Sequence, residues 1–175
     1  KDDKFHRSYN EKNWRILPRQ AVHDSSSVTY PVFTAIAAPE VQNKLNGDFA
    51  IIAGPYLQNL ATGGCELDYT LTFVSEKFIS MVFFGVLDEG EKEILAKIPL
   101  NIDVQTGAQL ALGDVLNLRD ADLLPVLRLL TKKDKVDFSK GIPESWYYNG
   151  TNFVFCQRSE TGEWLEATVA ASDLK

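Results

Sequence analysis

The chain has 175 residues, 45% of them hydrophobic and 24% charged, which is the composition of an ordinary globular domain long enough to build its own core. Eighteen Lys and Arg against 24 Asp and Glu leave a formal net charge of −6, so nucleic acid is not expected as the main partner. No apolar run approaches the roughly 20 residues of a membrane-spanning helix.

Residues 1–13 read as a polar lead-in. The first residue is Lys, and the opening KDDKFHRSYNEKNWR has no apolar segment. A processed or trimmed chain is expected, and the missing signal peptide says nothing of compartment. From Trp14 to Val22 a rough alternation interrupted by Pro18 predicts an edge strand. Asp24-Ser25-Ser26-Ser27 reads as a turn, and Val28 to Ile36 as a second extended segment.

Pro39 opens a helical pattern. Val41, Leu45, Phe49, Ile52, Tyr56 and Leu60 recur at helical spacing, with Pro55 expected to kink or split the helix. Two strands follow. Leu67 to Val74 alternates, and the more continuously apolar Phe78 to Leu87 reads as a central strand. After the charged turn Asp88-Glu89-Gly90-Glu91-Lys92-Glu93, Ile94 to Val104 predicts a further strand. Gln105-Thr106-Gly107 predicts a hairpin turn, and Ala108 to Leu112 its return strand.

Gly113-Asp114 begins a short helix through Leu118. A second helix runs from about Ala121, with Leu123, Leu124, Leu127 and Leu130 on one face and Pro125 near the first turn. Lys132 to Lys140 is a charged connector. Asn152 to Gln157 and Trp164 to Ala171 form a closing hairpin. Strands cluster rather than alternate with helices. The fold class predicted is therefore α+β, a largely antiparallel sheet packed against two or three helices. Residues 14–175 are expected to form a single domain, with two intertwined subdomains, about 14–65 and 66–175, as the other division.

Catalytic signals are weak. His23-Asp24-Ser25-Ser26-Ser27 holds the residue types of a triad, but neighbours in sequence rarely face one another correctly, and a polar turn is expected. The acidic 88–93 turn does not match a calcium loop. No phosphate loop or nucleophile elbow is present. Cys65 and Cys156 are too far apart for a zinc motif. Two buried thiols or one long-range disulfide remain open. No catalytic residue, metal or cofactor is expected. Trp146, Tyr147 and Tyr148 form a compact aromatic group, read either as a binding surface for sugar rings or protein or as packing beneath the C-terminal hairpin.

The stretch from Asn101 to Leu116 (NIDVQTGAQLALGDVL) resembles the signature of a bacterial extracytoplasmic domain of unassigned function. That domain occurs in the lysozyme-sensing anti-sigma factor RsiV and beside the catalytic domain of the peptidoglycan deacetylase PdaC. The residues that carry the resemblance are Asp103, Thr106, Gly107, Leu110, Leu112 and Asp114, which are turn, cap and core types rather than catalytic ones. Many relatives carry a Gly-Gly-Ala-His-like stretch where this chain has the acidic 88–93 turn. The resemblance implies a non-enzymatic binding or sensor-like domain of the bacterial cell envelope, secreted or membrane-anchored. Its implied partner is a muramidase-like protein or a cell-wall glycan. An envelope-polymer hydrolase, an accessory domain to a deacetylase and a self-associating structural module are the alternatives.

Overall fold

The computed structural model describes residues 5–10, 13–90 and 92–174, without the side chain of Glu89. The fold is α+β. A mixed five-stranded sheet has the order β1 (Arg15–His23), β2 (Ser26–Thr34), β3 (Cys65–Val74), β4 (Phe78–Glu89) and β5 (Lys92–Asp103). A second, antiparallel sheet has the order β6 (Trp146–Tyr148), β7 (Asn152–Arg158) and β8 (Trp164–Ala170). The helices are α1 (Pro39–Gln58), α2 (Leu112–Leu116) and α3 (Asp120–Leu130).

The chain divides into two compact units. Unit 1 is Lys1–Leu71, Val82–Ile98 and Val104–Gly107; unit 2 is Thr72–Met81, Pro99–Asp103 and Ala108–Lys175. Strands β3, β4 and β5 contribute residues to both.

In unit 1, β1 and β2 pair antiparallel from Arg15↔Thr34 to His23↔Ser26. The β2–β3 pairing is parallel and short, matching Ser27 with Glu66 and Val28 with Leu67. The chain reaches that parallel register through α1, the kind of crossover that parallel neighbours require. The carboxamide of Asn46 then completes the strand edge that β3 leaves open. Its Oδ1 accepts from the Phe33 N–H at 2.8 Å, and its Nδ2 donates to the Phe33 carbonyl at 3.1 Å. The buried stripe of α1 is Val41, Leu45, Phe49, Ala53 and Tyr56. Ile52, expected on that stripe, is half-buried, and Ala53 takes its place. Pro55 lies inside a helix that continues to Gln58 without splitting. Trp14, Phe33, Phe49, Phe83 and Tyr69 form a chain of ring contacts through this core, with centroids 5.5–6.4 Å apart. Such pairs add to the gain from burying apolar area.

In unit 2 the core gathers Leu112, Leu123, Leu127, Val136, Phe138, Trp146, Phe153 and Phe155 with the inward residues of β8. Two of these come from the segment read as a charged connector. Val136 and Phe138 are buried, while Asp137 between them and the lysines on either side stay exposed. The expected return strand from Ala108 to Leu112 is reduced to one bridge, Ile102↔Gln109. Asp103 N–H donates to the Ala108 carbonyl and Leu110 N–H to the Asn101 carbonyl, after which the chain turns into α2. In α3 Leu123 and Leu127 are buried, whereas Leu130 is exposed, and Pro125 lies beyond the first turn. Cys65 and Cys156 are both buried, and no disulfide joins them.

Candidate functional site

The residues of the 101–116 stretch do not all serve one purpose. Gly107 adopts a φ of 77°, the left-handed conformation a glycine holds without strain. Its carbonyl accepts from Lys44 Nζ at 2.5 Å, and Thr106 beside it is exposed. Leu112 is in the core of unit 2. Asp114 is the third residue of α2, and its carboxylate accepts from the Ala111 N–H at 2.9 Å, so it caps a helix start from inside the first turn.

Asp103, Leu110 and Asp114 line an open groove of about 970 Å³ in unit 2. Lys77, Phe78, Asn117, Leu118, Arg119 and Asp120 line it as well. Lys77 Nζ stands 4.0 Å from Asp103 Oδ2; the Asp103 side chain is 8% exposed and that of Lys77 66%. The groove thus carries a sheltered carboxylate beside an exposed ammonium. On one lip, Arg119 and Asp122 form an exposed pair at 3.0 Å, of small energetic value. The lip is held by a tight backbone approach. Leu118 N–H donates to the Gly113 carbonyl at 3.0 Å, and a Cβ on Gly113 would lie 2.6 Å from the Leu118 carbonyl oxygen. Asn117 closes the turn in the left-handed conformation, at φ 53°.

A second lobe of about 490 Å³ shares Gln109, Leu110, Ala111 and Asp120 and reaches Ile142, Pro143, Glu144 and Trp146. The structure therefore brings Trp146 of the aromatic group to the same groove as Asp103, Leu110 and Asp114. Tyr147 and Tyr148 do not line it. Trp146 is only 2% exposed and packs against Phe78 and Phe153, so its ring face is not offered to a ligand. Tyr148 is stacked on Phe153 and Phe78, and its hydroxyl donates to the Gly150 carbonyl. Burial, and secondarily the thiolate form of Cys156, push the Tyr147 hydroxyl above its ordinary pKa. The aromatic group is thus strand β6, and two of its three rings do packing work.

What fastens β6 was not visible in the sequence. Ser80 Oγ donates to Asn101 Oδ1 at 2.6 Å, Asn101 Nδ2 donates to the Trp146 carbonyl at 2.7 Å, and the Tyr148 N–H donates to Ser80 Oγ at 2.9 Å. Ser80 and Asn101 are buried, so this network satisfies the strand edge that β7 does not reach. The signal available was a Ser and an Asn inside strongly apolar strands.

The other candidates stay apart. His23 Nδ1 is 3.5 Å from Asp24 in an exposed turn, while Ser26 is buried and accepts from the Cys65 N–H. No serine there pairs with His23 among the described residues. Glu91 and the side chain of Glu89 lie outside the described residues; Asp88 and Glu93 are exposed. Among the described residues no cluster of three or more His, Cys, Asp or Glu has metal-binding geometry. Asn149 Oδ1 accepts from the N–H groups of Thr151 and Asn152, which makes Asn149-Gly150 a turn.

No family model matches the sequence, and no curated protein is significantly similar to it. Solved structures do resemble it. A member of the DUF3298 family from Bacteroides fragilis superposes with a TM-score of 0.58 at 10% identity, over 95% of this chain and 92% of that one. A DUF3298 family protein from Pseudomonas aeruginosa superposes with a TM-score of 0.54 at 10% identity, over 94% of this chain and 93% of that one. At this identity the likeness is one of fold.

Proposed function

We propose that the protein is a non-enzymatic, extracytoplasmic binding domain of the bacterial cell envelope, and that the unit 2 groove is its ligand site. The observation that carries the reading is the lining of that groove. Asp103, Leu110 and Asp114, which carry the resemblance to the envelope domain of RsiV and PdaC, converge on one concave surface. Concave sites with an apolar floor and a few placed charges are where ligands bind by default.

The apolar lining residues Phe78, Leu110, Val115 and Leu118 suit aliphatic or sugar-ring surface. Lys77 faces an anionic group, and Asp120 with Asp114 faces an amine. A ligand bearing both charges fits that arrangement, as the stem peptide of a cell-wall fragment does, or a basic protein surface such as that of a muramidase. Trp146 belongs to the wall of the adjoining lobe in this reading, and Tyr147 and Tyr148 lie outside the lining.

Amide NMR titration with soluble muropeptides, and separately with a muramidase, tests the assignment. The expected result is shifts confined to Lys77, Asp103 and Gln109–Asp120 with one of the two. Shifts confined to other regions, or none with either ligand, reject it.

A further inference from the structure

Helix α3 presents a second, unrelated surface. Its inner face is filled by Leu123 and Leu127. Along the edge of that face Val126, Leu129 and Leu130, at helical spacings of three and four, are 38%, 72% and 41% exposed. An apolar side chain exposed singly is normal, but three on adjoining turns form a patch. The next turn brings Lys132 and Lys133, followed by Lys135 and Lys140, all exposed and none in an ion pair among the described residues. From Arg128 to Lys140 five basic residues stand against two acidic ones, in a chain whose net charge is −6.

The acids nearby are accounted for. Asp137 accepts from the Ser139 N–H at 2.8 Å, and these Ser139 hydrogen bonds hold its carboxyl below the ordinary range. Asp122 is engaged by Arg119 at the far end of the helix. Asp134 and Asp137 are both exposed among the lysines, two acids against five basic residues. Arg128 is turned inward to the carbonyls of Phe138 and Ser139, which ties the lysine segment to the helix.

We infer that this end of α3 docks on an anionic lipid surface, with Val126, Leu129 and Leu130 entering the headgroup boundary and Lys132, Lys133 and Lys135 lying against lipid phosphates. Leucines beside a lysine cluster on a short helix complement an anionic bilayer in both chemistry and charge. A second copy of this chain is a poorer occupant, because two such patches would place lysine against lysine. Neither acidic polymer nor free phosphate uses the leucines.

Cosedimentation of the full chain with vesicles tests this, using phosphatidylcholine alone and phosphatidylcholine mixed with phosphatidylglycerol. Binding is expected only to the mixed vesicles, weakening with salt. Each neutralised lysine should lower the partition coefficient about fivefold, so the double variant Lys132→Gln/Lys133→Gln should lose more than tenfold. Leu129→Ser, at an exposed position that unfolding does not threaten, should also weaken binding severalfold. Absence of binding to the mixed vesicles, equal binding to both kinds, or binding unchanged in either variant overturns the inference. So does full competition by soluble polyphosphate with Leu129→Ser behaving as wild type, or a dimer in sedimentation that Leu129→Ser abolishes. Circular dichroism melts confirm that the variants fold, and groove binding is read separately from vesicle binding.

Discussion

Asn101 joins two buried polar groups of unit 2. Its carboxamide accepts from Ser80 and donates to Trp146, with all three groups out of water. Asn101→Leu would strand the Trp146 carbonyl and remove the acceptor of the Ser80 hydroxyl. An orphaned buried polar group costs about 1–3 kcal/mol, so denaturant unfolding should show a loss in that range, with β6 exchanging its amides faster than β7. Gly85 offers a second residue-level test. A Cβ there would overlap the Tyr56 ring and hydroxyl, so Gly85→Ala should cost about 1–3 kcal/mol. Tyr56→Leu in the same chain should recover part of that, which a double-mutant cycle measures as a coupling. Burial also raises the pKa of Tyr56 and Tyr69, the latter sheltered by a hydroxyl donation to the Arg7 carbonyl at 2.6 Å. A raised native pKa means the folded state holds its phenolic protons after the unfolded chain has released them. Stability from this source is complete below about pH 10 and declines as pH rises further. Thermal melts between pH 8 and 11 should show that decline, shallower in Tyr69→Phe.

At the scale of elements, α2 and its turn decide the groove's lip. Asp114→Ala removes the acceptor for the Ala111 N–H and should cost about 1 kcal/mol. Gly113→Ala should cost more, because the Leu118 carbonyl oxygen is backbone and cannot swing away. Amide exchange of Leu118, which is bonded to Gly113, reports the loosened lip directly. These two positions also show how far local pattern carries. The Gly-Asp pair marked a helix start, and the alternation of Leu67, Tyr69 and Leu71 marked a strand whose buried face the structure keeps. Strand β6 escaped because three residues cannot display a period of two. Val136 and Phe138 escaped because two apolar residues among lysines read as solvated chain, yet they fill the core under α3. The Ser80–Asn101 link spans 21 positions, and nothing local announces a bond at that distance.

For the whole molecule, the α+β class followed from the grouping of strands, while the parallel β2–β3 contact did not. That contact depends on the path of α1 rather than on any strand's own pattern. The mixture of acid and base along the chain acquires a location in unit 2. Mixed charges line the groove, and exposed lysines follow α3. Lys77 and Asp120 in the groove and Lys132, Lys133 and Lys135 after α3 are exposed, so charge changes at those positions should alter binding without altering the fold. The most direct measurement is isothermal titration of the wild-type chain and of Lys77→Gln/Asp120→Asn with soluble muropeptides and with a muramidase. The account predicts saturable binding of one of the two by the wild type, and a loss of tenfold or more in the variant at unchanged melting temperature. Equal affinity in both chains, or no binding by the wild type to either ligand, would contradict it.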